Sequence, residues 1–138
     1  MAGFVNRISN SPTEANYGGQ SHWVGARFTA LAGATTPFDY QLPVDLKLFS
    51  GTFWAAPEAV IGDTISFSVV DVNGILGPAG TVLREYVDDI YVVPDERRIL
   101  QSGQASDLVA GLFLRTTYVS TGTSDIDVLL DWQYFEAP

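Results

Sequence analysis

The 138-residue chain has no cysteine and a single histidine, His22. Without cysteine, neither a disulfide framework nor a thiolate metal site can form, and the redox compartment stays open. A serine triad would need His22 as its base, yet no Gly-x-Ser-x-Gly context supplies a nucleophile, so His22 reads as a surface or loop residue. Basic residues are scarce too: seven against sixteen acidic ones, for a net charge of −9. Lys47 is the one lysine, and Arg97-Arg98 the one adjacent basic pair. Proteins that track a phosphate backbone do so through clustered Lys and Arg, so no nucleic-acid partner is expected. No run approaches the ~20 apolar residues of a membrane-spanning helix, and no membrane partner is expected. The opening MAGFVNRISNSPTEANYGG has neither the basic start nor the apolar run of a secretion signal, which predicts synthesis and folding in a cytoplasm. Charged residues make up 17% of the chain, below the ~25% usual for soluble domains. The surface is therefore finished with Ser, Thr, Gly, Gln and Asn, or partly covered by other subunits.

What is present is a core. The length and the 46% apolar content fit one domain, large enough to bury roughly 68–70% of the surface its unfolded chain exposes. Residues 1–21 read as a polar arm or a frayed terminus, with Phe4, Val5 and Ile8 forming a short strand or an anchoring tail. Residues 22–138 read as the single domain. Its organising stretch is Gly62–Pro94. Ile65, Phe67 and Val69 alternate with Ser66, Ser68 and Val70, the period of a half-buried strand, and Asn73-Gly74 marks a tight turn. Val82, Leu83, Tyr86, Val87 and Ile90 then share one face of a short helix that Thr81 would cap.

Around that stretch, Trp23–Leu31 and Val44–Trp54 read as strands, the second with Gly51 as a bulge or close backbone contact. Residues 32–43, with Pro37 and Pro43, read as loop. Ile90–Val93 and Arg97–Leu100 read as short strands, and Gln101–Asp107 as loop. The end of the chain reads as a long hairpin, Val109–Val119 with Asp125–Phe135. Pairing about Gly122 sets Leu112, Leu114, Thr116 and Tyr118 opposite Trp132, Leu130, Val128 and Ile126. Arg115 then neutralises Asp127 and Asp131 on the outer face. The sum is an all-β chain of about eight strands with one short helix, an antiparallel β-sandwich or jelly roll.

Chemistry-bearing groups are sparse. Asp71-x-Asn73-Gly74 opens like a calcium loop, with Asp88 and Asp89 as further oxygens, but Ile75 stands at the third ligand position and the distal glutamate is missing. Asp125, Asp127 and Asp131 alternate along one strand at the spacing of glycosidase carboxylates, a spacing any strand supplies. Trp23, Trp54, Tyr40 and Tyr118 would make a sugar-stacking platform if they shared an exposed face; otherwise they are core. The expectation is no catalytic residue, no metal and no cofactor. Leu129 and Phe135, apolar on the outer face of the last strand, point instead to a partner surface. With Phe4 and Val5 they are the expected oligomer contacts.

The run Gly62-Asp63-Thr64-Ile65-Ser66-Phe67-Ser68-Val69-Val70-Asp71-Val72-Asn73-Gly74, with Leu76-Gly77, Ala79-Gly80-Thr81-Val82-Leu83 and Tyr86-Val87, resembles virion proteins of tailed bacteriophages. The ending Val109-Ala110-Gly111-Leu112-Phe113-Leu114-Arg115, with Tyr118-Val119-Ser120-Thr121-Gly122 and Asp125-Ile126-Asp127-Val128, is similar to the same group. Together these segments cover about half of the chain. The resemblance implies a small β-sandwich in a phage particle: a non-enzymatic capsid decoration or tail-associated subunit, located in the virion and made in the host cytoplasm. The low charge and the apolar outer face agree, and predict a homo-oligomer, favouring a trimer, that also contacts other virion proteins. The alternative is a carbohydrate-binding module for host-surface glycans; a glycan-cleaving enzyme is a third reading.

Overall fold

The computed structural model describes residues 21–101 and 106–136. These residues form nine strands and no helix: β1 (Ser21–Ala30), β2 (Thr35–Gln41), β3 (Leu46–Ala55), β4 (Thr64–Asp71), β5 (Thr81–Tyr91), β6 (Arg97–Gln101), β7 (Ser106–Leu108), β8 (Phe113–Val119) and β9 (Ile126–Glu136). They lie in two sheets, one ordered β1-β9-β3-β6 with β7 also on β3, the other β2-β8-β4-β5. Every pairing is antiparallel, and the pairs nest: β1 with β9, β2 with β8, β3 with β6, and β4 with β5 at the centre. The chain is thus one long hairpin, tipped by the β4–β5 turn and rolled over on itself. The expected arm falls almost wholly outside the described residues, as do Phe4 and Val5.

Alternation buries the expected residues but with different neighbours. Leu112, Leu114, Thr116 and Tyr118 of β8 and its approach are buried, and so are Ile126, Val128, Leu130 and Trp132 of β9. The two strands are nevertheless not a hairpin. β8 pairs with β2 and β4, while β9 pairs with β1 and β3, so residues expected side by side belong to opposite sheets of one core. Arg115 accordingly does not meet Asp127 or Asp131. Its Nε and Nη2 donate to Asp39 Oδ1 and Oδ2 of β2, each over 2.8 Å. A period of two specifies which face is buried; it says nothing about which strand lies alongside.

The expected helix is β5, an edge strand. Its register with β4 shifts three times, between Ile65 and Phe67, Phe67 and Ser68, and Val69 and Val70. Each extra residue turns the following side chains over. Tyr86, Val87 and Ile90 therefore pack against the core at a spacing that imitates a helical face. The Thr81 hydroxyl caps no helix; it donates to the Pro78 carbonyl over 2.6 Å and closes the turn. The second departure is β2, formed where a loop was expected. Pro37 sits on it opposite Thr117, and β2 is an edge strand, the place in a sheet where a missing N–H is tolerated.

Gly51 behaves as its place in a strand suggests. The β3–β9 register shifts just before it, between Leu48 and Ser50, and a Cβ on Gly51 would stand 2.9 Å from Trp132 Cδ1. That close approach lets the Trp132 indole, fully buried, lie in the middle of the sandwich. Its ring centroid is 5.4 Å from that of Tyr40 and 6.2 Å from that of Phe67, both on the opposite sheet. Phe28 and Phe38 make a second stack between the sheets at 5.1 Å. Large rings spanning the gap account for much of the aromatic content.

Candidate functional site

Two buried carboxylates organise loops. Asp63, 1% exposed, sits just before β4. It accepts the Tyr118 hydroxyl over 2.6 Å, the Thr121 amide over 2.7 Å, the Thr121 hydroxyl over 2.9 Å and the Val60 amide over 3.3 Å. Burial alone would raise its pKa, but these hydrogen bonds outweigh burial and hold it below the ordinary carboxylate value. Tyr118 is pushed the other way, by burial first and then by its bond to, and the charge of, Asp63. Asp71 serves the β4–β5 turn: its two carboxylate oxygens accept the Ile75 and Leu76 amides, each over 2.8 Å. Its pKa is likewise lowered, because amide hydrogen bonds from this turn overcome the desolvation that would raise it. With both oxygens committed to the turn and Asp88 and Asp89 at the far end of β5, the calcium-like run is a hairpin device. No group of three or more metal-ligating side chains occurs among the described residues.

The remaining candidate carboxylates lie apart in role. Asp125 accepts the Ala32 amide over 2.9 Å, and Asp131 is ion-paired to Arg97 at 2.7 Å. Asp127 is exposed and touched by the Thr29 hydroxyl at 3.5 Å. His22 stacks on Tyr134 with centroids 5.3 Å apart, its Nε2 3.7 Å from Glu136 Oε2. Of the four platform aromatics, Tyr118 is fully buried and Tyr40 packs into the core. Trp23 and Trp54 share the outward side of the β1-β9-β3-β6 sheet. Trp54 is held by donating its indole N–H to Asp95 over 3.0 Å.

That outward side brings aromatic, aliphatic and paired charged residues together. Arg27, Leu129, Trp54 and Arg97 form one row across four strands, and Gly25, Asp131, Thr52 and Ile99 the next. Leu129 and Trp54 are half-buried, while Trp23 and Ile99 are 63% and 61% exposed. Gly25 leaves a shallow groove of about 340 Å³ walled by Arg27, Arg97, Leu129 and Asp131. Arg97 bridges it, donating to Asp131 over 2.7 Å and to Thr52 over 3.0 Å. Leu129 is on the outward face, as its alternation suggested, but its neighbours are Trp54 and Arg27 and not the Arg115 that the expected hairpin set opposite it. Phe135 also faces outward, opposite Lys47, but it is only 1% exposed, with its ring edge-on to Phe49 at 5.7 Å. The sequence showed Arg27 on the Trp23 face of β1, but not that Arg97 would bridge to Asp131 on it.

No protein-family model matches the sequence, and no curated protein matches it. Solved structures are similar at a low level. The infectious bursal disease virus particle aligns at 8% identity and a TM-score of 0.44 over 86% of this chain and 35% of that one. The Gx strain of the same virus gives 10% identity and 0.46 over 86% and 37%. A Bacillus endospore appendage, from a family of disulfide-linked pili, gives 12% identity and 0.34 over 96% and 100%. The chain spans little more than a third of the two viral chains.

Proposed function

We propose that the chain is a non-enzymatic structural subunit of a virus particle, a capsid decoration or tail-associated protein of the tailed bacteriophages its sequence resembles. It works by associating with copies of itself and with other virion proteins. The observation that carries this reading is the strand order. With β7 set aside, the two four-stranded sheets are ordered β1-β9-β3-β6 and β2-β8-β4-β5, a nested pairing that supports reading the sandwich as a jelly roll. That architecture recurs in viral capsid and lectin domains. This is an argument from fold analogy. It is joined by a sequence-level one, an acidic chain whose charge is sparse for an isolated domain.

A second reading, recognition of host-surface glycans, is favoured by one feature: exposed Trp23 beside the groove bridged by the Arg97–Asp131 pair. A glycan array probed with wild-type protein and Trp23→Ala, alongside co-sedimentation of the protein with phage particles stripped of it, separates the two. The structural reading predicts rebinding to particles and no Trp23-dependent glycan signal. Glycan signals lost on Trp23→Ala, with no rebinding, would replace it with the lectin reading.

A further inference from the structure

We propose that the outward side of the β1-β9-β3-β6 sheet packs against the same side of a second copy about a two-fold axis, with Arg27 of each copy set against Asp127 of the other. This rests on the self-association reading above and adds to it a surface, a symmetry and the contacting residues.

The centre of this side is apolar. Leu129 and Trp54 are direct neighbours across β9 and β3, both half-buried; Ile99 stands more exposed in the next row, and Trp23 two rows away on the edge strand β1. Its strand charges are balanced although the chain carries a net −9, and the Asp95 carboxylate, bound to the Trp54 indole N–H just before β6, adds one acidic group. Arg27, Lys47 and Arg97 are the outward basic strand residues; Asp107, Asp127 and Asp131 are the acidic ones. Two copies that repel over the rest of their surfaces meet here with only a small excess of negative charge. Four of the six strand charges are already committed, Lys47 to Asp107 and Arg97 to Asp131, and Asp95 is committed to the Trp54 indole. Arg27 and Asp127 are left, both exposed. Neither has an ion pair among the described residues, and Asp127 has only the Thr29 hydroxyl at 3.5 Å.

The positions of those two charges select the symmetry. Arg27 is opposite Leu129, and Asp127 is two residues along β9 from Leu129. Strands lie ~4.8 Å apart and same-face residues ~6.8 Å apart, so the two charges are ~8 Å apart in plan. A two-fold axis lying between the facing sheets and bisecting that diagonal passes within ~1.5 Å of both Leu129 and Trp54 in the same plan. The operation that makes two Arg27–Asp127 pairs therefore also lays the apolar centre on itself. A two-fold contact requires this of a patch, that it carry both halves of every interaction. With the axis so placed, the strands of the two facing sheets cross at roughly 70°, near the orthogonal class of face-to-face sheet packing, here formed between copies.

The test is the solution mass by light scattering at micromolar concentration, for the wild type, Arg27→Asp, Asp127→Arg, the double reversal, and Leu129→Asp. Far-UV circular dichroism checks that each is folded. The expected results are twice the chain mass for the wild type and a dissociation constant raised about tenfold or more by each single reversal. The double reversal should return to within about threefold of wild type, and Leu129→Asp should be monomeric. A monomeric wild type would overturn this proposal and the self-association reading together. An oligomer unmoved by folded Arg27→Asp and Leu129→Asp would overturn this surface while leaving self-association standing. A trimer mass would overturn the two-fold, and failure of the double reversal to rescue would show that the two charges do not face each other.

Discussion

Changing Tyr118 to Phe removes one oxygen atom and leaves the ring, so the cost isolates a single buried hydrogen bond. That bond, 2.6 Å from the hydroxyl to Asp63, ties the end of β8 to the loop before β4. Hydrogen bonds to a charged group contribute about 1.5–3 kcal/mol. The carboxylate keeps its Thr121 and Val60 donors, so the loss should stay near ~2 kcal/mol. For a domain of this size that is about 5–10 °C in melting temperature. The effect has a pH signature. Asp63 has a folded pKa below its ordinary 3.8, so its stabilisation is present above that value and disappears as pH falls through the folded pKa. The gap between wild type and Tyr118→Phe should hold at neutral pH and narrow in acid, below about pH 4. At the alkaline end, Tyr118 has a folded pKa raised above 10.0, so its contribution is present below that value and is lost as pH rises beyond it. The variant should lack that alkaline loss. Urea unfolding followed by tryptophan fluorescence, with the buried Trp132 as reporter, measures all three regimes. Equal midpoints at neutral pH, or a gap unchanged into acid, would refute the assignment of Asp63 as a charged acceptor.

Three further outcomes follow from the same packing. Thr116→Val should raise stability by roughly 1 kcal/mol, because the Thr116 hydroxyl is buried with no hydrogen-bond partner among the described residues; a lower midpoint would show an overlooked acceptor. Gly51→Ala should cost about 1–3 kcal/mol in denaturant unfolding, since the new methyl would stand 2.9 Å from Trp132 Cδ1; an unchanged midpoint would mean the indole moves freely. Melting curves with and without EDTA should superimpose, because both Asp71 oxygens already serve the β4–β5 turn; a fall of many degrees on chelation would contradict that.

Burial was legible in the sequence wherever a strand was regular. The inward residues of β8 and β9, the place of Gly51 and the turn at Asn73-Gly74 all follow from local pattern and residue chemistry. Partnership was not legible. In a nested hairpin, β9 finds β1 about a hundred residues away, and no local feature distinguishes that from a turn back onto β8. β5 misled for a different reason: its register shifts break the period of two, and what remains of the apolar spacing matches a helix. Pro37 hid β2, because only the tertiary position at a sheet edge makes proline acceptable there. Of the surface, Leu129 was visible as an outward apolar residue. Its row-mates Arg27, Trp54 and Arg97 come from three other strands, and only the sheet assembles them. The Asp63–Tyr118 bond spans 55 residues and has no local signal at all.

The most direct measurement of the proposed virion role is quantitative mass spectrometry of virus particles purified through a density gradient from the lysate in which the chain is made. A structural subunit should band with the particles at a fixed copy number relative to the major capsid protein, and should keep that ratio from one preparation to the next. Its absence from the particle band, with the protein recovered only in the soluble lysate, would contradict the account.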